Sequence, residues 1–321
     1  MKKALKLSLK IFVAIISLVA IFLTVSYINH QIQLSNEDEL FAQAIGTSVE
    51  VNGHLMNVYT EGTGETTLVF LSGGGTSSPV LDFKSLYSEL SDEYKIVVVE
   101  KAGYGFSEIS DNAPRDIDTL LSETRQALSL SGIEAPYVLC PHSMSGLEAL
   151  YWLQQYPNEV EAIVGLDMAI PQMYEDMDIN LATANILSSV ANIGVTRWFP
   201  SIAESDAIKY GTLSEQEQEL YRAVFYRRTQ TSDMLNEVAE VKNNAKIVEE
   251  NSIPDVPILI FSSNGSGTGF VSAQWISYYT DFIENNSNAD LIQLDTSHYV
   301  HDIEYEKIAE EITVYLQNLD E

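Results

Sequence analysis

The sequence predicts a mostly parallel, doubly wound α/β sheet, interrupted by a helical insert and preceded by a membrane-spanning helix. Three observations predict it. Short apolar runs bounded by turn residues recur along the chain and read as strands buried on both faces. Amphipathic helical patterns separate them, as right-handed crossovers between parallel strands require. One serine, Ser143, stands between such a run and such a helix.

The N-terminus carries Lys2, Lys3, Lys6 and Lys10, then an uncharged apolar run from Ile11 to Ile28. That run is just long enough to span a bilayer and longer than the core of a usual signal peptide. The lysines should stay on the cytoplasmic side, so residues 1–28 read as a signal anchor and the remainder as extracytoplasmic. Secretion after signal cleavage is the alternative. Residues 29–46 are polar and acidic without a clear period and read as a linker.

Ser48–Tyr59 reads as a hairpin around an Asn52-Gly53 turn, with His54 exposed beside it. Thr67–Leu71 is a buried strand ending in Ser72-Gly73-Gly74-Gly75. Successive glycines there let the backbone approach a ligand, and the Lys-Ser/Thr of a phosphate loop does not follow. Pro79–Leu90 is helical. Lys95–Glu100 is the next strand and runs into the glycine-punctuated loop Lys101–Ser107. Asp116–Leu130 is an amphipathic helix.

Tyr137–Cys140 is a strand, and a helix begins just after Ser143, with Leu147, Leu150, Tyr151 and Gln154 at helical spacing. A serine on such a turn is exposed in a strained conformation, and the helix start favours a developing negative charge. Ser143 is therefore the candidate nucleophile. Ser145 is rejected because Leu147 would occupy a crowded position two residues beyond it. Val160–Asp167 is another strand, ending in a carboxylate.

From 171 to 252 the strands stop. Met173, Met177, Leu181, Ala184 and Leu187 form a helical stripe, and Ser214–Glu217 is a capping box. The insert reads as a cap over the site, between core segments 47–170 and 253–321. Its apolar stripe packs on the main domain or contacts substrate. Pro257–Ser262 and Leu291–Leu294 are the last strands, Ala273–Glu284 and Glu304–Leu319 the last helices.

Composition excludes some functions. Residues after Asn36 hold 13 basic and 46 acidic side chains, a formal charge of −33. Such a surface repels phosphate backbones, so no nucleic-acid partner is expected. The single cysteine, Cys140, allows no internal disulfide and no zinc-type cluster. It reads as a small buried strand residue.

Four stretches in this order resemble the α/β-hydrolase fold family, over essentially Val49 to Leu319. Leu71–Gly75 is similar to the family's His-Gly-x-x-Gly oxyanion loop, with Ser72 at the histidine. Glu100–Ser107 resembles its Asp-x-x-Gly-x-Gly-x-Ser loop. Pro141–Gly146 looks like Gly-His-Ser-Met-Gly-Gly, with Pro141 and Ser145 replacing glycines. Ser297–His301 resembles Gly-His-x-x-His. The resemblance implies a serine hydrolase acting on a small-molecule ester, amide or related acyl bond, with no metal or organic cofactor. Ser143 attacks, His298 is the base, and the amides of Gly74 and Met144 form the oxyanion hole. His142 and His301 are expected to be structural. The loop after Phe261 has no carboxylate, and some family branches place the acid one strand earlier, so Asp167 is the expected third member. Asp281 and Asp255 are the alternatives. Peptidase or haloperoxidase-like chemistry, or a silent ligand-binding domain, would fit the same scaffold.

Overall fold

A computed structural model describes residues 2–110 and 113–319. Its centre is an eight-stranded sheet: β1 (Thr47–Val51), β2 (His54–Glu61), β3 (Thr67–Leu71), β4 (Lys95–Glu100), β5 (Tyr137–Pro141), β6 (Val160–Leu166), β7 (Ile258–Ser262) and β8 (Ala289–Gln293). The spatial order is β1-β2-β4-β3-β5-β6-β7-β8; β2 pairs antiparallel with both β1 and β4, and every other pairing is parallel. Order reverses around β3 and β5, which lie side by side, so the loops after them open a crevice at the carboxyl edge. The β1–β2 turn has Asn52 and Gly53 both at positive φ (51° and 86°), as a two-residue hairpin of this twist requires.

Helices α1 (Lys2–Asn36) and α2 (Asp38–Phe41) precede the sheet. Within the core come α3 (Pro79–Asp82), α4 (Lys84–Leu90), α5 (Ile117–Leu130) and α6 (Ser145–Gln155). Between β6 and β7 lie α7 (Pro171–Asp176), α8 (Leu181–Asn192), α9 (Asp206–Lys209), α10 (Glu215–Arg228) and α11 (Ser232–Glu249). Then follow α12 (Ser272–Asn285), α13 (Val300–Ile303) and α14 (Tyr305–Leu319). Both faces of the sheet are covered. One apolar layer joins Val69, Val97 and Leu139 to Leu150, Trp152, Trp275 and Tyr279. The other joins Phe70, Val98 and Val164 to Leu86, Ile308 and Ile312. Cys140 is buried in the second, and burial pushes its thiol pKa up.

Local chemistry explains the helix boundaries. Asp116 caps α5 by accepting from the Thr119 amide (2.9 Å). Ser214 and Glu217 form the reciprocal capping box of α10.

Four expectations need correction. The expected linker 29–46 is largely helical, because α1 runs unbroken to Asn36 and α2 follows. Its polar side chains are held from far along the chain. Arg197 grips Glu37 with two hydrogen bonds (2.7 and 2.8 Å) and His30 with a third. The stripe Met173–Leu187 is two helices, broken where Met177 turns extended and Asn180 caps α8; Leu187 is exposed. The last strand begins at Ala289, set by pairing with Ile258. His54 is buried, 3.8 Å from Glu123.

Glu100 ends β4 fully buried. Its carboxylate accepts from the amides of Phe106 (2.7 Å) and Val80 (3.3 Å) and from Asn57 Nδ2 (3.0 Å), tying three segments beneath the crevice. Gly105, at φ 47°, has no room for a side chain, since a Cβ would lie 2.0 Å from that carboxylate. Burial raises the Glu100 pKa to about 7, only partly offset by those donors. A folded-state value above the unfolded one favours the protonated fold. The stability it brings is complete below about pH 4.5 and is lost as pH rises through about 7. The difference is on the order of 3 kcal/mol. Denaturant midpoints of the full chain and of Glu100→Gln, compared in detergent from pH 5 to 8, should show the parent's fall and a shallower one in the variant. A parent-minus-variant difference independent of pH would contradict this.

Candidate active site

The turn between β5 and α6 holds Ser143 at φ 52°, in the left-handed region that costs a non-glycine residue about 1–3 kcal/mol. Neighbouring backbone holds it there. The Ser143 carbonyl accepts from the amides of Gly146 (2.9 Å) and Ala169 (2.7 Å). Close approach falls at two other glycines. A Cβ on Gly146 would lie 2.2 Å from the Ala169 carbonyl oxygen, and one on Gly73 would lie 2.8 Å from Ser143 Cβ. The motif positions Pro141 and Ser145 are filled differently. Pro141 pairs with Leu71 as the last residue of β5. Ser145 is buried, and its hydroxyl donates to the Leu71 carbonyl (2.6 Å), with the His142 carbonyl at 2.8 Å. It therefore stitches the turn to β3.

His298 lies on the loop after β8. Its amide donates to the Ser266 carbonyl (2.9 Å), anchoring it to the loop after β7. Nε2 is 2.8 Å from Ser143 Oγ, and Nδ1 is 2.6 Å from Asp167 Oδ2. Asp167, directly after β6, is wholly buried and also at positive φ (49°). Its second oxygen, Oδ1, accepts from the Ser263 amide (2.6 Å), Trp275 Nε1 (2.9 Å) and Tyr279 hydroxyl (3.3 Å). The carboxylate-free loop after β7 thus contributes a backbone donor to the acid of the neighbouring strand. Asp281 and Asp255 are exposed, the first on α12 and the second paired with Asn288. The structure brings Ser143, His298 and Asp167 together and leaves Asp281 and Asp255 apart from them.

Sequence reasoning missed Trp275 and Tyr279. Their one signal is the i, i+4 spacing on the buried face of α12, which marks packing but not its polar partner.

The two remaining histidines of the region flank this line. His142 is buried, and burial with His301 and His298 nearby holds it well below the usual histidine range. Neutral, it donates through Nε2 to the His298 carbonyl (3.2 Å), which fixes its tautomer. His301 is buried with Nε2 3.2 Å from Asp82 Oδ2.

A cavity of about 330 Å³ opens over Ser143. Gly74, Met144 and His298 form its floor, and Met173, Met177, Ile179, Val238 and Val241 its walls. The inserted helices α7 and α11 supply part of those walls. Among the described residues, the amides of Gly74 and Met144 donate to no protein acceptor. Next to them, the Gly75 amide donates to the Tyr104 hydroxyl (3.3 Å). That hydroxyl donates in turn to Glu237 of α11, which also pairs with Lys101. The glycine loop is therefore coupled to the insert through one tyrosine. Burial raises the Tyr104 pKa well above its ordinary value, with Glu237 adding to it, so it remains a neutral donor.

One group of donors, Asp82, His301 and Asp302, has ligand atoms within 4.8 Å of one another. Asp82 also accepts from the Tyr221 hydroxyl (3.0 Å). Burial and the neighbouring Asp82 push the Asp302 carboxyl well above the usual range. A proton on Asp302 relieves the charge, and no metal role is assigned to the group.

Comparison with known proteins agrees with this architecture. A family profile described as the alpha/beta hydrolase fold matches residues 66–192. The uncharacterized protein YbdG of Bacillus subtilis (strain 168) is 37% identical over 299 residues, covering 90% of this chain and 91% of that protein. Among solved structures, the epoxide hydrolase VrEH1 of Vigna radiata is similar at a TM-score of 0.67 and 17% identity, over 85% of this chain and 97% of its own. Cfl2 of Burkholderia cenocepacia is similar at 0.66 and 17% identity, over 84% and 94%. With its sheet order, its strained serine turn and these matches, the chain belongs to the α/β-hydrolase fold family.

Proposed function

We propose that this protein is a membrane-anchored, extracytoplasmic serine hydrolase that cleaves an ester, amide or related acyl bond of a small molecule. The observation that carries this reading is the unbroken line from Ser143 Oγ through the His298 ring to Asp167, at 2.8 and 2.6 Å. These are hydrogen-bonding distances for a nucleophile, its base and the group that orients the base. Ser143 attacks the carbonyl carbon and His298 Nε2 takes its proton. The oxyanion is met by the amides of Gly74 and Met144. His298 then protonates the leaving alcohol or amine, and the same ring activates water to cleave the acyl-enzyme. Asp167 holds the Nδ1–H tautomer and stabilises the imidazolium.

Chemistry separates this reading from that of the epoxide hydrolases that share the fold. Attack of a serine hydroxyl on an epoxide carbon would leave a dialkyl ether, which activated water does not readily cleave. Attack on a carbonyl leaves an ester, which it does. A hydroxyl nucleophile therefore favours acyl transfer. The inserted helices 171–252 act in this reading as a cap whose methionines shape the acyl pocket; Met adapts to irregular ligands.

For location, the described residues include one helix, Lys3–Asn36, long and apolar enough to cross a membrane. The lysines before its apolar run favour a cytoplasmic N-terminus. A cleaved signal sequence would have the same composition. Docking of residues 22–38 onto the cap supports retention, because cleavage after the apolar run would strip Trp198 of Phe22 and Ser26.

Four outcomes are expected. In hydrolysis of a panel of esters by the full chain in detergent, Ser143→Ala and His298→Ala should each cost several orders of magnitude in kcat. Asp167→Asn should cost about 10⁴-fold, as the wrong tautomer does in serine proteases; activity within a few fold of the parent would remove Asp167 from the triad. Trp275→Phe, which deletes one donor to Asp167 Oδ1, should lower kcat roughly tenfold, the effect of about one charge-assisted hydrogen bond, with KM unchanged. A change in KM alone would make Trp275 a pocket residue only. Protease added to intact cells should remove the acidic domain; protection until lysis would reverse the orientation.

A further inference from the structure

On the proposed reading that α1 spans the bilayer, we infer that the cap corner Trp198–Ile202 is itself a lipid-contacting surface, seated in the outer leaflet beside that helix.

The Phe22 and Trp198 rings lie 5.7 Å apart between centroids, and Trp198 Nε1 donates to Ser26 Oγ (2.9 Å). Among the described residues, Ser26 and His30 are the buried positions of α1, whereas the neighbouring apolar side chains are exposed. Both Phe22 and Ser26 lie within the apolar run that ends at Ile28. At 1.5 Å per residue, Phe22 sits about 9 Å below that end. If the run occupies the hydrocarbon, its partner Trp198 cannot stand in bulk water.

The connection has no slack. α1 is helical to Asn36, Arg197 holds Glu37 and His30, and Arg227 donates to the Leu34 carbonyl (2.8 Å). A Cβ on Gly194 would lie 2.3 Å from His30 Cβ, so the chains touch there at backbone distance. The corner's height on the membrane is therefore fixed.

Apart from Ser201, what the corner exposes is apolar. Trp198 is 49%, Phe199 58% and Ile202 51% exposed. The one polar atom of the Trp198 ring is already satisfied by Ser26, so the exposed part of that ring is carbon. Tryptophan beside aliphatic side chains at the end of a spanning helix matches the interfacial belt of membrane proteins. Continuity with α1 selects the bilayer as the occupant over a soluble partner. The domain's negative charge argues against attraction to anionic headgroups, so the contact is apolar and should hold on zwitterionic lipid.

The test uses the chain's tryptophans. Trp152 and Trp275 are buried at 0% and 2% exposure. The full chain is placed in phosphatidylcholine nanodiscs whose acyl chains are brominated or not, since bromine quenches indole on contact. The expected result is loss of emission in brominated discs, abolished by Trp198→Phe and restored when Phe199→Trp is added to it. Unquenched emission from chain that co-elutes with the discs would overturn the lipid seat while leaving α1 inserted, as would two copies per disc with the corner unquenched. Failure to co-elute with discs would overturn both the seat and the spanning helix. Ester hydrolysis, measured in the same discs, reports separately on the serine-hydrolase reading.

Discussion

A carboxylate buried at the end of a strand has to be saturated with hydrogen bonds, and the crevice is built around that requirement. An uncompensated buried charge costs on the order of several kcal/mol. Asp167 meets the requirement with the Ser263 amide, the Trp275 indole and the Tyr279 hydroxyl on one oxygen and the His298 ring on the other. Those partners come from the β7 loop, α12 and the β8 loop. Fixing the acid therefore fixes the relative positions of the loops at the carboxyl edge. The histidine is held at both ends, by Asp167 through its ring and by Ser266 through its amide. The serine is held by the crossing of β5 with the segment after β6. Each member of this hydrogen-bonded line is thus fixed by something other than the next member.

A second buried network works above the first. Glu237 of α11 gathers Lys101 and Tyr104, Tyr104 receives the Gly75 amide, and Asp233 accepts from the Ser110 amide (2.9 Å). Arg115 and Glu123 add a bidentate pair at 2.9 and 3.0 Å. Such groups contribute little net stability over an apolar core, but they specify one arrangement and penalise others. Here the arrangement specified is the seat of the inserted helices on the glycine loop. Any shift of α11 would be felt at Gly75, one residue from the amide proposed for the oxyanion.

Strands buried on both faces are legible because their apolar runs are continuous, and the serine turn is legible because strand, turn and helix follow within ten residues. Asp167 could be named because it ends such a strand, yet its donors could not: the Trp275 and Tyr279 spacing reads as packing. The same limit explains the N-terminal segment. Nothing local in residues 29–36 demands a helix; the demand comes from Arg197, more than 150 residues away. The crowding at the serine turn was expected at Pro141 and Ser145 but falls at Gly73 and Gly146, since it depends on how the β3 and β6 loops cross. Periodicity reports which face is buried, and it is silent on which distant group arrives there.

In the proposed reaction Ser143 is a hydroxyl activated by His298 for attack on an acyl centre. Its most direct test is to treat the folded full chain with a fluorophosphonate at neutral pH and map the adduct by peptide mass spectrometry. One adduct per chain is expected, on Ser143, and none on a His298→Ala variant. An adduct on Ser145, or none on folded protein, would contradict it.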